Sequence, residues 1–182
     1  MIDITRLISE RPFLVRLFNG TAAKLQERVN SDGFCHTSFG EQGGVRCYGD
    51  SHYPRDAAEA AKALALLGDH ELALNVLSFH FRHTPPEQRY LPHVLLPDGS
   101  IKHNNIQTDT LAHSAMALAS CAEAAARTPV PPEKDSRILR LYGECLRFAD
   151  WLWEDHFHTD YSLLDSGNFN EQGFHGSKEA LL

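Results

Sequence analysis

No run of 18 or more apolar residues occurs in the chain, so no stretch is long enough to cross a bilayer as a helix. Basic charge is also short. Lys and Arg number 17 against 24 Asp and Glu, a formal net charge of −7. No Lys/Arg stripe offsets that balance, which argues against a nucleic-acid partner. The opening residues, MIDITRLISERPF, carry acids early and lack an apolar core flanked by a cleavage site. They do not read as a signal peptide. Cys35, Cys47, Cys121 and Cys145 show no C-x-x-C spacing, and the last two fall in helical patterns where cysteine behaves as a small hydrophobe. Free thiols and a cytoplasmic location are expected, with a Cys35–Cys47 bridge as the alternative. H-E-x-x-H is missing as well. His80-x-x-His83 is not the chelating i, i+4 pair, so neither a metal nor a cofactor is expected.

What is present suits a soluble globular protein, with 42% hydrophobic and 23% charged residues. A chain of 182 residues can bury one substantial core, so residues 1–182 are read as a single domain. Residues 3 to 10 form a short helical candidate, and Pro12 suits the first turn of a longer helix reaching about Val29. Leu14, Leu17, Phe18, Ala22 and Leu25 give it one apolar stripe. Asn30 to Gly33 closes these N-terminal helices (1–33). The stretch Phe34 to Asp50 is Gly-rich and irregular, with room for a short strand around Val45 to Tyr48.

Two helices then follow, Asp56 to Leu67 and Asp69 to about Arg82, split by Gly68. So short a link makes them an antiparallel hairpin. Residues 87 to 107 read as a long loop with a Pro97-Asp98-Gly99-Ser100 turn that suits a small hairpin. Thr108 is a candidate cap for a helix to about Arg127. A long helix runs from about Glu133 to His156, and Ser177 looks like the start of another. The fold class is therefore all-α: helical hairpins joined alternately by tight turns and long polar loops. Gathered at one end, those loops would converge Arg55/Asp56, His103 to Asp109 and Asp165 to Glu171.

Tyr53-Pro54-Arg55-Asp56 stands where irregular chain turns into helix, a place where polar side chains face a pocket from a rigid element. Arg supplies a planar fork of donors and Asp two acceptor oxygens, a pair suited to a polyhydroxylated ligand. The plainer alternative is an acid favoured by the helix dipole with a local ion pair beside it. Gln107-Thr108-Asp109 and Asn168 to Glu171 mark further junctions rich in acids and amides. Spread carboxylates are what glycoside hydrolysis requires: one donates a proton to the leaving oxygen and another activates water.

Tyr53-Pro-Arg-Asp56, then LLGDHELALNVLSF, GSIKHNNIQTDT and LWEDHF…LLDSGNFNE, resemble the six-hairpin glycosidases, glucoamylase-like enzymes above all. The similarity runs from about Cys47 to Glu171. It implies an (α/α)6 toroid, here only its first half, and an exo-acting, inverting glycoside hydrolase of the glucoamylase/α-glucosidase kind. By that resemblance Arg55 and Asp56 bind hydroxyls of the terminal sugar. Gln107 and Asp109 line the same pocket, and Glu171 is the general acid. Tyr53 stands where the family has Trp in W-x-R-D, and Gly167-Asn-Phe-Asn-Glu171 replaces a tighter Gly-x-Trp-Glu. Glu154 also follows a Trp but lies within helix and reads as structural. The family's catalytic base belongs to the later half, so no residue here takes that role. The chain is expected to act with a missing C-terminal half or to self-associate, and alone to bind a carbohydrate without turnover.

Two other readings remain open. An N-acylglucosamine-epimerase-like isomerase shares the toroid and uses histidine as acid and base, which would make His103 or His113 matter more than Glu171. A non-catalytic helical toroid that only binds carbohydrate is the other.

Overall fold

The computed structural model describes residues 11–36, 41–42, 45–46, 50–127, 135–158 and 163–164. The helical candidates at 3–10 and after Ser177, together with Cys47 and the Asp165 to Glu171 loop, lie outside them. The described chain is mostly helical. Helix α1 spans Pro12–Glu27, α2 Pro54–Leu66, α3 His70–Arg82, α4 Asp109–Ala125 and α5 Ser136–Trp151, the last running into a π-helical turn, Leu152–His156. Three two-stranded antiparallel ladders punctuate the loops. They pair β1 (Glu41–Gln42) with β2 (Val45–Arg46), β3 (Val94–Leu95) with β4 (Ile101–His103), and β5 (Phe157–His158) with β6 (Leu163–Leu164). The 87–107 loop thus carries the expected hairpin, turned by Asp98, whose Oδ1 accepts from the Ser100 N–H at 2.9 Å and the Ser100 hydroxyl at 2.6 Å.

Proline opens α2 at its first turn, where its missing N–H sacrifices no hydrogen bond. The helix closes on Gly68 at φ +88°, with Asp69 N–H donating to Leu64 O at 2.9 Å and Gly68 N–H to Ala65 O at 3.0 Å. That pair of bonds satisfies two otherwise orphaned carbonyls and demands the left-handed conformation glycine adopts freely. Asp69 then caps α3 by accepting from Leu72 N–H. Thr108 does not cap α4: its side chain bonds no helix N–H and its backbone is already helical.

Packing follows from side-chain size. Ala57, Ala58, Ala61 and Ala65 are buried on α2, so its backbone closely approaches both α3 and α4. Leu74, Val76 and Leu77 of α3, Ala117, Leu118 and Cys121 of α4, and Leu141, Cys145 and Phe148 of α5 complete one core. Each fully buried Leu or Phe there contributes about 1.5–3 kcal/mol. Helix α1 is the exception. Its expected stripe is not buried as a whole: Leu25 packs on the core, whereas Leu17 and Phe18 are more than half exposed.

Charged contacts reveal the helix directions. Arg55 at the start of α2 meets Asp109 at the start of α4 (3.5 Å), and one turn on Glu59 meets His113 (2.8 Å). The two helices therefore run parallel. At the opposite end, Arg137 at the start of α5 donates to both Glu71 oxygens, near the start of α3, at 2.6 and 2.8 Å. The α4–α5 hairpin thus repeats the α2–α3 hairpin beside it. The described ends of α2 and α4 and the starts of α3 and α5 lie together at one end, and the starts of α2 and α4 at the other.

Gly33 has φ +91°, and a Cβ there would overlap the Asn75 carbonyl oxygen of α3. Gly33→Ala is expected to cost about 2–4 kcal/mol, combining left-handed strain with overpacking against backbone. Urea unfolding of the two proteins checks this; equal midpoints would contradict it.

Candidate functional site

The loop end of α2 and α4 gathers the polar residues the sequence singles out. Arg55 and Asp109 form an ion pair at 3.5 Å, with the guanidinium mostly buried and the carboxylate about two-fifths exposed. Gln107, just before α4, is buried, and its Oε1 accepts from the Thr110 hydroxyl at 3.4 Å. Tyr53 is half-buried, its ring edge-on to His93 with centroids 5.4 Å apart. His103 is exposed on β4. Two of the three junctions therefore converge, and the third, with Glu171, lies outside the described residues.

Neighbouring residues do not share a role. Arg55 turns to α4, whereas the exposed Asp56 lies within electrostatic reach of Cys35, which also feels Arg28. Arg55 thus has Asp109 as an ion-pair partner, while Asp56 faces the Cys35 side of the helix start. One turn further in, the hydrogen bond from His113 holds the Glu59 carboxyl below its ordinary range, and Lys62 adds to this at 3.4 Å. Glu154, read as structural, joins Arg89 of the 87–107 loop at 2.7 Å.

Beneath this end lies a polar chain that sequence reasoning missed. The Cys35 N–H donates to His52 Nδ1 at 3.0 Å, so that nitrogen carries no proton. His52 Nε2 must then hold the proton and donate it to His80 Nδ1, 3.3 Å away. His80 Nε2–H in turn faces the Ser114 oxygen at 3.3 Å, and the Ser114 hydroxyl donates to Thr110 O at 2.9 Å. Every group is satisfied with both rings neutral. Burial is the first cause that drives both pKa values down, His80 to about 3 and His52 well below its ordinary value. The chain of bonds links the 34–36 turn, the segment entering α2, α3 and α4. Its only sequence signal is a histidine inside the apolar run Leu77-Ser78-Phe79-His80-Phe81; nothing local marks His52.

Three of the four cysteines fall among the described residues. Cys35, Cys121 and Cys145 are free and buried, and burial pushes their thiols up to about 11, 12 and 11. Among the described residues no three His, Cys, Asp or Glu side chains group as metal ligands, and no helix is long and apolar enough to cross a membrane. A cavity of about 630 Å³ between α4 and α5 is lined by alanine, leucine and isoleucine, with Thr108 and Tyr142 its main polar groups. It would leave most sugar hydroxyls unpaired, so the charged end is the better polar-ligand site. No protein-family model matches the chain, and neither a curated protein nor a solved structure matches it.

Proposed function

We propose that the common loop end of α2 and α4 binds a carbohydrate, as the first two hairpins of a glucoamylase-like helical toroid. The observation that carries this reading is the Arg55–Asp109 pair, which joins two loop-to-helix junctions across parallel helices. An Arg fork and a carboxylate held a few ångströms apart offer donors and acceptors to adjacent hydroxyls of one sugar ring. Gln107 and Tyr53 beside them supply an amide and an aromatic face. Binding would exchange part of the ion pair for sugar hydroxyls, a small loss because Asp109 is solvent-accessible and the pair is correspondingly weak. The exo-acting, inverting hydrolysis that the sequence resemblance implies adds Glu171 as proton donor and needs a base, a role assigned to no residue of 1–182.

Ligand-observed NMR with glucose, maltose, mannose, rhamnose and N-acetylglucosamine tests the reading. Arg55→Ala and Asp109→Asn are each expected to weaken binding by about tenfold or more, since each leaves hydroxyls without a charged partner. Undiminished binding by both folded variants would remove the site from this end. Glu171→Gln separates the roles: hydrolysis lost with binding retained favours the glycosidase.

A second reading rests on the Glu59–His113 pair. A carboxylate 2.8 Å from Nδ1 orients an imidazole as acid or base, as an epimerase of the N-acylglucosamine type would require. Deuterium uptake from D2O into a sugar carbon, abolished by His113→Gln, would favour that isomerase over hydrolysis. Sugar binding with neither reaction is the outcome for a binding-only toroid.

A further inference from the structure

Among the described residues, apolar side chains are exposed on two separate helical surfaces. On one, α4 and α5 enclose the groove of about 630 Å³, where Leu111, Ala115 and Ala119 of α4 face Leu139, Tyr142 and Leu146 of α5. Leu139 and Tyr142 are each more than half exposed. Contiguous apolar surface of this kind marks an interaction site. On the other, Phe13 and Leu17 project from α1, exposed by 64% and 55%, as a ridge of large side chains.

We infer that α1 of one copy seats in the α4–α5 groove of a second copy of this chain. Shape supports it, because a ridge of Phe and Leu suits a trough floored by alanine. Length supports it as well. The 11 steps from Phe13 to Lys24 and the 12 from Leu111 to Glu123 each advance about 17–18 Å along a helix. Charge sets the direction. Helix α4 carries Asp109 and Glu123 with no Lys or Arg from 109 to 125, whereas α1 and its cap carry Arg11, Arg16 and Lys24 against Glu27. Parallel docking lays Phe13 and Leu17 over Leu111 and Ala115 and brings Lys24 to Glu123 at the negative end of the α4 dipole. The contact is heterologous, so each pair keeps one free ridge and one free groove and grows with concentration.

Sedimentation velocity on the full chain is the test, using Leu17→Glu, which spoils the ridge, and Ala115→Arg, which fills the groove. Both positions are exposed, and far-UV circular dichroism reports whether each variant folds. The wild type is expected to gain mass across a dilution series while each variant stays monomeric. An equimolar mixture should give a one-to-one dimer that grows no further, since one variant keeps the groove and the other the ridge. A monomeric wild type, a mixture that fails to pair, or disruption by Ala115→Arg alone would each overturn the inference. Should either variant misfold, Lys24→Glu and Glu123→Lys read the same contact: each is weakened alone, and the two combine.

Discussion

Lowering the pH from 7 to about 5 is expected to destabilise the fold by about 4 kcal/mol, through His52 and His80 acting together. Both rings are wholly buried and neutral, with pKa values depressed from the ordinary 6.5. Well above pH 6.5 neither the folded nor the unfolded chain holds the extra protons, and stability is at its full value. Below 6.5 the unfolded chain takes up two protons that the folded chain refuses. Each refused proton costs about 1.4 kcal/mol per pH unit until the folded rings titrate.

The surroundings offer no relief. Cys35 N–H, Phe34 and Phe79 face His52, Ser114 and Phe81 face His80, and the nearby His83 and its neighbour Arg82 only add positive charge. The carboxylates with lowered pKa values, Glu59, Glu71, Asp98 and Asp135, lose their contribution only further down, below about pH 4.5, the unperturbed glutamate range. Against a usual total of about 5–15 kcal/mol, a loss of about 4 by pH 5 is large. Denaturant midpoints measured at pH 7, 6 and 5 check it. A flat profile, or a slope unchanged in His80→Gln, would contradict the assignment of the two protons.

The helical hairpins are legible in the sequence because their signals are local. Pro54, Gly68 and Asp69 are punctuation that physical chemistry allows at few other places, and the alanines of α2 announce a close-packed helix. Asp98 and Ser100 likewise declare a turn. The exposure of α1 is not legible: Leu17 and Phe18 keep helical spacing whether or not anything covers them, and periodicity cannot report what lies opposite. The pairing of Arg55 with Asp109 joins residues 54 positions apart, so only the register of two parallel helices reveals it. Asp56 looks like the partner because adjacency in sequence stands in for adjacency in space, whereas neighbours on a helix point about 100° apart. Glu59 and His113 carry the same lesson one turn on: each sits four residues after a member of the Arg55–Asp109 pair.

His80→Ala is expected to be the most damaging single change in this region, at about 3–5 kcal/mol. It opens a cavity among Phe81, Ser114 and His52, and it leaves the His52 Nε2–H with no acceptor. Ser114→Ala removes the acceptor facing His80 Nε2 together with the hydroxyl bond to Thr110 O, and should cost about 1–3 kcal/mol. If the chain of bonds is one unit, the two losses are not additive: the double variant falls short of their sum by about 0.5–3 kcal/mol, because once His80 is gone Ser114 has little left to satisfy. Additive losses would mean the bonds act separately. Nitrogen NMR shifts supply an independent view at neutral pH. In the wild type both rings should carry their proton on Nε2, the one tautomer compatible with a Cys35 N–H pointing at His52 Nδ1. A proton on Nδ1 of either ring would break the sequence of donors. Because these bonds tie the segment entering α2 to α4, breaking them should also loosen the Arg55–Asp109 end. Sugar affinity in Ser114→Ala is therefore expected to fall along with stability. Gly68→Ala is the control at the tight-turn end of the α2–α3 hairpin. Its new Cβ meets nothing within 4 Å, so left-handed strain alone lowers stability, by about 1–2 kcal/mol, and affinity should stay unchanged.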